Sequence, residues 1–128
     1  MKRQTLLILG ISIILIGVVA YVAYQYAVDS PFRISSQEAK KLLQTKQIDL
    51  VLDVRTDLER KNLGYYPNSV HIQGADLEPQ MLKMYPDKQI RILVYCNTGH
   101  RARLATDKLH KLGYVNATYI SSQYTTLQ

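Results

Sequence analysis

Along the chain the hydrophobic positions first form a block with no periodicity. From Leu6 to Ala23 the only polar side chain is Ser12, and Tyr24 to Val28 prolong the stretch as far as Asp29. At about 1.5 Å per residue such a helix crosses a hydrocarbon core of about 30 Å. A cleaved signal peptide has an apolar region of only about 7 to 15 residues followed by a small-x-small site. Here bulky Tyr21, Tyr24 and Tyr26 occupy the end of the stretch, where amphipathic rings settle at a membrane interface. Residues 1–28 are therefore read as an uncleaved, single-pass membrane anchor. Lys2 and Arg3, next to the span, place the N-terminus on the cytoplasmic side and residues 29–128 outside, which in a bacterium is the periplasm or the cell exterior.

Beyond Pro31 the pattern turns periodic. Ser35-Ser36-Gln37-Glu38 has the form of a capping box, and Ala39, Leu42 and Leu43 supply the apolar stripe of a short helix ending near Lys46. Ile48 to Val54 and Ile90 to Tyr95 are nearly continuous apolar runs, the mark of strands buried on both faces. Asn68 to Ile72 reads as a shorter strand, and Leu77 to Met84 as a short helix stopped before Pro86. Leu104, Ala105, Leu109 and Leu112 have helical spacing, Gly113 is a stop, and Val115 to Ile120 is a last strand. Strands alternating with helices predict an α/β domain with a mainly parallel sheet flanked by helices.

Composition narrows the picture. Of 128 residues, 47% are hydrophobic and 20% charged, which excludes a disordered chain and leaves room for one domain over 29–128. The 16 basic residues exceed the 10 acidic ones, but they are scattered rather than gathered into a stripe, so no nucleic-acid partner is expected. Cys96 is the only cysteine, so there is no intrachain disulfide. His71, His100 and His110 are not paired at helical spacing, and neither a metal nor a cofactor is called for. The domain is expected to be monomeric.

Candidate chemistry collects where the most apolar strand runs out, at Cys96-Asn97-Thr98-Gly99-His100-Arg101. In an open parallel sheet, ligands gather beyond the carboxyl ends of the strands. A short loop with a central Gly, leading into a helix, can turn successive N–H groups inward as an anion cradle. A cysteine in that cradle is favoured as the thiolate by the donors, the helix dipole and Arg101, and the thiolate is the reactive form. An inert packing cysteine is the plainer alternative, but the Gly and Arg at their offsets argue for a reactive one.

The loop resembles the active-site Cys-x-x-Gly-x-Arg of the rhodanese-like sulfurtransferases. Leu52-Asp53-Val54-Arg55 with Glu59 is similar to their Asp-Val-Arg segment, Gly64 to Ile72 to the stretch before their next strand, and Leu112-Gly113-Tyr114-Val115 to a typical helix end. The resemblance spans residues 33–121 and implies a rhodanese-like open sheet. It also implies that Cys96 attacks the outer sulfur of thiosulfate or a related donor, carries it as a persulfide and passes it to cyanide or a thiol. Asn97, Thr98, Gly99, His100 and Arg101 would bind the anion, with His100 equally able to face solvent. Asp53, Arg55 and Glu59 would hold the loops. The chain departs from the family in Ala102, which replaces a frequent hydroxyl residue, in one extra residue between Glu59 and Gly64, in Tyr65, in Ser121-Ser122 and in the want of a closing helix before Gln128.

Two other readings compete. Cys-dependent phosphatases and arsenate reductases place the loop arginine after five intervening residues, where this chain has Ala102. A membrane-tethered, non-catalytic binding or sensing module would not need Cys96.

Overall fold

The computed structural model describes residues 2–128. Helix α1 covers Lys2–Val28, and its apolar run is exposed along its whole length, with a mean hydropathy of 2.8 over its most apolar 18 residues. A helix satisfies its own backbone hydrogen bonds, as an apolar segment in lipid must. It is long and apolar enough to cross a membrane. Helix α2, Ser36–Gln44, starts where the sequence indicates, with the Ser35 hydroxyl accepting the Glu38 amide at 3.1 Å.

Strands β1 (Leu50–Asp53), β2 (Val70–His71), β3 (Ile92–Tyr95) and β4 (Ala117–Tyr119) form one sheet in the order β2-β1-β3-β4. All pairings are parallel, with Leu52 opposite Val70 and Val94, and Val94 opposite Tyr119. The predicted strands are thus found, each shorter than the apolar run that announces it: Ile48, Val54 and Ile90 pack on the core without joining the ladder, and Val115, before β4, is exposed. Asn68, expected in β2, instead takes a left-handed conformation with φ 65°. The outer edge of β4 is covered by residues 32–34, through Ile34 N–H to the Tyr119 carbonyl and Tyr119 N–H to the Phe32 carbonyl.

Successive side chains alternate between two buried faces. Leu50, Leu52, Val54, Ile92, Val94 and Cys96 pack with Leu77, Met81 and Leu109 of the helices on one side. Val51, Leu93 and Tyr95 pack with Ala39, Ile120 and Leu127 on the other. On the first side lie α4 (Leu77–Met84) and α5 (His100–Lys111); on the second lie α2 and a 3-10 turn, Tyr124–Leu127. That turn seats Leu127 in the core and supplies the closure for which the sequence showed no helix.

One helix went unpredicted: α3, Asp57–Leu63, has no buried residue and so no apolar stripe to announce it. It is held by its start, where the Thr56 hydroxyl accepts the Glu59 amide while the Glu59 carboxylate accepts the Thr56 amide. From β1 the chain steps outward to β2, and from β3 outward to β4, so the connections diverge between the central pair. Such a switch point opens a crevice at the carboxyl ends of the strands. Cys96 and Arg55 stand on its two sides.

Candidate active site

Cys96 follows β3 directly and is 1% exposed. Its Sγ accepts the Gly99 amide at 3.1 Å and the Ala102 amide at 3.4 Å. The loop is shorter than the sequence suggested, because α5 begins at His100 and places Arg101 in its first turn. The amides of a helix's first turn have no intrahelical acceptor and carry the positive end of its dipole. Gly99 makes the turn, with φ 98°, and a Cβ there would come within 2.7 Å of the Ser121 Cα. Only glycine fits both the angle and the approach.

Arg101 donates both terminal nitrogens to Glu59, at 2.7 and 2.8 Å. Glu59 also accepts the Thr56 amide at 2.8 Å and the Asn97 side-chain amide at 3.0 Å. The Arg101 fork, together with these donors, lowers the Glu59 carboxyl to about 2, although partial burial opposes it. Glu59 therefore ties α3 to the cysteine loop, and Arg101 enters the site as half of an ion pair. The Asn97 carbonyl oxygen in turn accepts from Arg55 at 3.3 Å.

Behind this lies a buried polar cluster. Asp53 is fully buried and accepts Arg55 Nε at 3.0 Å, Arg55 Nη2 at 2.9 Å, Arg60 at 3.1 Å and the Tyr95 hydroxyl at 3.0 Å. Burial works against its charge, but the Arg55 hydrogen bonds outweigh it and hold the carboxyl below its ordinary range. Arg55 also reaches the Gly64 carbonyl at 2.6 Å, and its own carbonyl accepts His71 Nε2–H at 2.6 Å. Asp53 and Arg55 thus join β1, the turn after α3, β2 and the cysteine loop.

The residues named from sequence divide into two groups. Cys96, Asn97, Gly99 and Arg101 converge with Asp53, Arg55 and Glu59. Thr98 and His100 are exposed and turn toward α1, the Thr98 carbonyl accepting from the Tyr24 hydroxyl at 3.3 Å and His100 Nδ1 donating to the Ala27 carbonyl at 3.2 Å. Sequence reasoning missed Thr56, Arg60 and Tyr95. Thr56-x-x-Glu59 was a legible capping box, whereas nothing local marks Arg60, which binds Asp53 and the Ser69 carbonyl, or Tyr95, which meets Asp53 across the sheet. Beside Arg101 lies a cavity of about 260 Å³ lined by Val54, Gly74, Leu77, Arg101, Leu104, Ala105 and Lys108.

An open parallel sheet with a cysteine sulfur at its switch point, cradled by backbone amides at a helix start, defines a cysteine-centred α/β domain. Residues 35–125 match the family model described as Rhodanese-like domain, and the chain belongs to that family. It is 30% identical over 95 residues to "Adenylyltransferase and sulfurtransferase UBA4" of Candida albicans, covering 70% of this chain and 22% of that protein. It is 35% identical over 82 residues to "tRNA sulfurtransferase" of Blochmanniella pennsylvanica, covering 62% of this chain and 16% of that protein. The chain thus spans less than a quarter of these two curated relatives. In fold it is similar to the human single-domain sulfurtransferase TSTD1, with a TM-score of 0.63 at 23% identity over 76% of this chain and 95% of that one.

Proposed function

We propose that this chain is a membrane-anchored sulfurtransferase in which Cys96 accepts a sulfane sulfur from thiosulfate or a similar donor and passes it to cyanide or a thiol. The observation that carries this is the pair of amides, Gly99 and Ala102, aimed at the Cys96 sulfur from the start of α5. They favour the thiolate needed for attack and favour it again as the leaving group. In the first step Sγ bonds to the outer sulfur of thiosulfate, that sulfur's bond to the inner one breaks, and sulfite leaves with the electron pair. In the second, the acceptor attacks the outer sulfur of the persulfide and Sγ departs as thiolate. Arg101 orients the anion while Glu59 fixes the guanidinium. Asp53, Arg55 and Glu59 hold the loops rather than touch the reacting atoms.

Residues 1–28 serve as the anchor, with the domain on the outer side of the membrane. Arg101 follows Cys96 after four intervening residues, and Ala102 stands where a phosphatase loop carries its arginine, a spacing that supports sulfur transfer over phosphate hydrolysis. Full-length protein given thiosulfate and then cyanide should release thiocyanate, and Cys96→Ser should release none. Equal release by both would end the proposal.

A further inference from the structure

Helix α1 ends in the domain with its last carbonyls fully spoken for. The final four carbonyls of a helix lack intrahelical partners and must find others. Here the Gln25 carbonyl accepts the Asp29 amide, and the carbonyls of Tyr26, Ala27 and Val28 accept from Arg103, His100 and Tyr119 respectively. Two of these donors, His100 and Arg103, lie on α5, the helix that starts at the Cys96 loop. The Tyr24 hydroxyl adds a bond to the Thr98 carbonyl inside the loop itself. The anchor is therefore joined to the cysteine loop by its own helix cap, with no flexible linker between them.

This docking sets a height. With the strictly apolar run from Leu6 to Ala23 taken as the hydrocarbon span, Tyr24 lies about 1.5 Å and Ala27 about 6 Å of helix rise beyond it. The headgroup layer on each side of a bilayer is about 5 to 7 Å thick. Thr98 and His100 accordingly stand within that layer. Arg103, bonded to the Tyr26 carbonyl, lines a pocket together with Val22, Gln25 and Asp29.

We infer that α1 and the Cys96 loop form one rigid unit that holds the sulfur-carrying site in the headgroup layer, and that the acceptor it serves is a membrane-confined thiol. The inference rests on the anchor and sulfur-carrier readings above. One further observation favours an amphiphilic acceptor. The cavity beside Arg101 sets the apolar side chains of Val54, Leu77, Leu104 and Ala105 next to the cations Arg101 and Lys108, a lining that suits an alkyl chain with a polar head. The step balances without any other reactant: R–SH attacks the outer sulfur of Cys96–S–SH, the Sγ–S bond breaks, and R–S–SH and the Cys96 thiol result.

The test uses the full chain in phosphatidylcholine nanodiscs. A nitroxide at position 98, in the double variant Cys96→Ser, Thr98→Cys, reports depth by its accessibility to oxygen and to a water-soluble nickel chelate. A second label, at position 14 in Cys96→Ser, Ile14→Cys, checks the span. The account expects label 14 in hydrocarbon, label 98 at the headgroups, and wild-type persulfide discharged at least tenfold faster by dodecanethiol than by mercaptoethanol. Label 98 in bulk water with label 14 in hydrocarbon overturns the docking while the anchor stands. Label 14 in water overturns both. Interfacial label 98 with equal discharge by the two thiols overturns the acceptor class, and a wild-type chain that forms no persulfide removes the acceptor class together with the sulfur-carrier reading.

Discussion

At the residue scale the site depends on two positions whose chemistry admits no near substitute. Gly99 combines a left-handed backbone with contact against Ser121, so Gly99→Ala must both strain φ and displace the neighbouring chain. A non-glycine residue in that region costs about 1 to 3 kcal/mol. Gly99→Ala should lower the thermal midpoint followed by circular dichroism and also slow sulfur loading, since the Gly99 amide is one of the two that meet Cys96. An unchanged midpoint with unchanged loading would contradict this. Arg55 is the second. Removing one partner of a buried ion pair costs about 3 to 5 kcal/mol. Because Arg60 and Tyr95 still reach Asp53, Arg55→Met should fall near the lower end, about 3 kcal/mol. Asp53→Asn added to it should recover part of the loss in urea titrations; a double variant worse than the single would show that Asp53 is not the group left wanting.

At the scale of elements, α3 is joined to α5 through Glu59 and Arg101 rather than through apolar packing. The carboxyl's folded value, about 2, lies below its ordinary 4.5. The stability it contributes is therefore complete above about pH 4.5 and is lost as pH falls through 2. Glu59→Gln should flatten that part of the acid stability profile, and wild type and variant should differ most above pH 4.5. The same elements show what the sequence could tell. The parallel sheet and the Cys96 turn were legible because apolar runs and a loop glycine are local signals. Helix α3 was hidden because it buries no side chain, although its Thr56 to Glu59 cap was there to be read. The strands are shorter than their apolar runs because flanking residues such as Ile48, Val54 and Ile90, packed on either face of the sheet, leave the same apolar trace as strand pairing. Tyr95 was invisible because it meets Asp53 across the sheet, and Arg60 because it folds back to Asp53 from α3, and no sequence spacing encodes either meeting.

At the scale of the whole molecule, a charged α/β domain sits on a helix whose most apolar 18-residue stretch is unburied, while Val28 at its end is buried in the domain. Full-length protein should stay with membranes through a high-salt wash, and release by salt alone would show that α1 lies on the surface. The outward placement proposed above predicts that a thiol reagent that cannot cross membranes labels Cys96 in intact cells; labelling only after lysis, with the purified protein reactive, would reverse the topology. Anchor, sheet and cap all converge on one sulfur atom, so the most direct measurement is the intact mass of the full chain in detergent, taken before thiosulfate, after it, and again after cyanide. Cys96 should gain one sulfur atom from thiosulfate and lose it to cyanide, and the mass of Cys96→Ser should not change. A reduced, folded wild-type chain whose mass never changes would contradict sulfur transfer through Cys96.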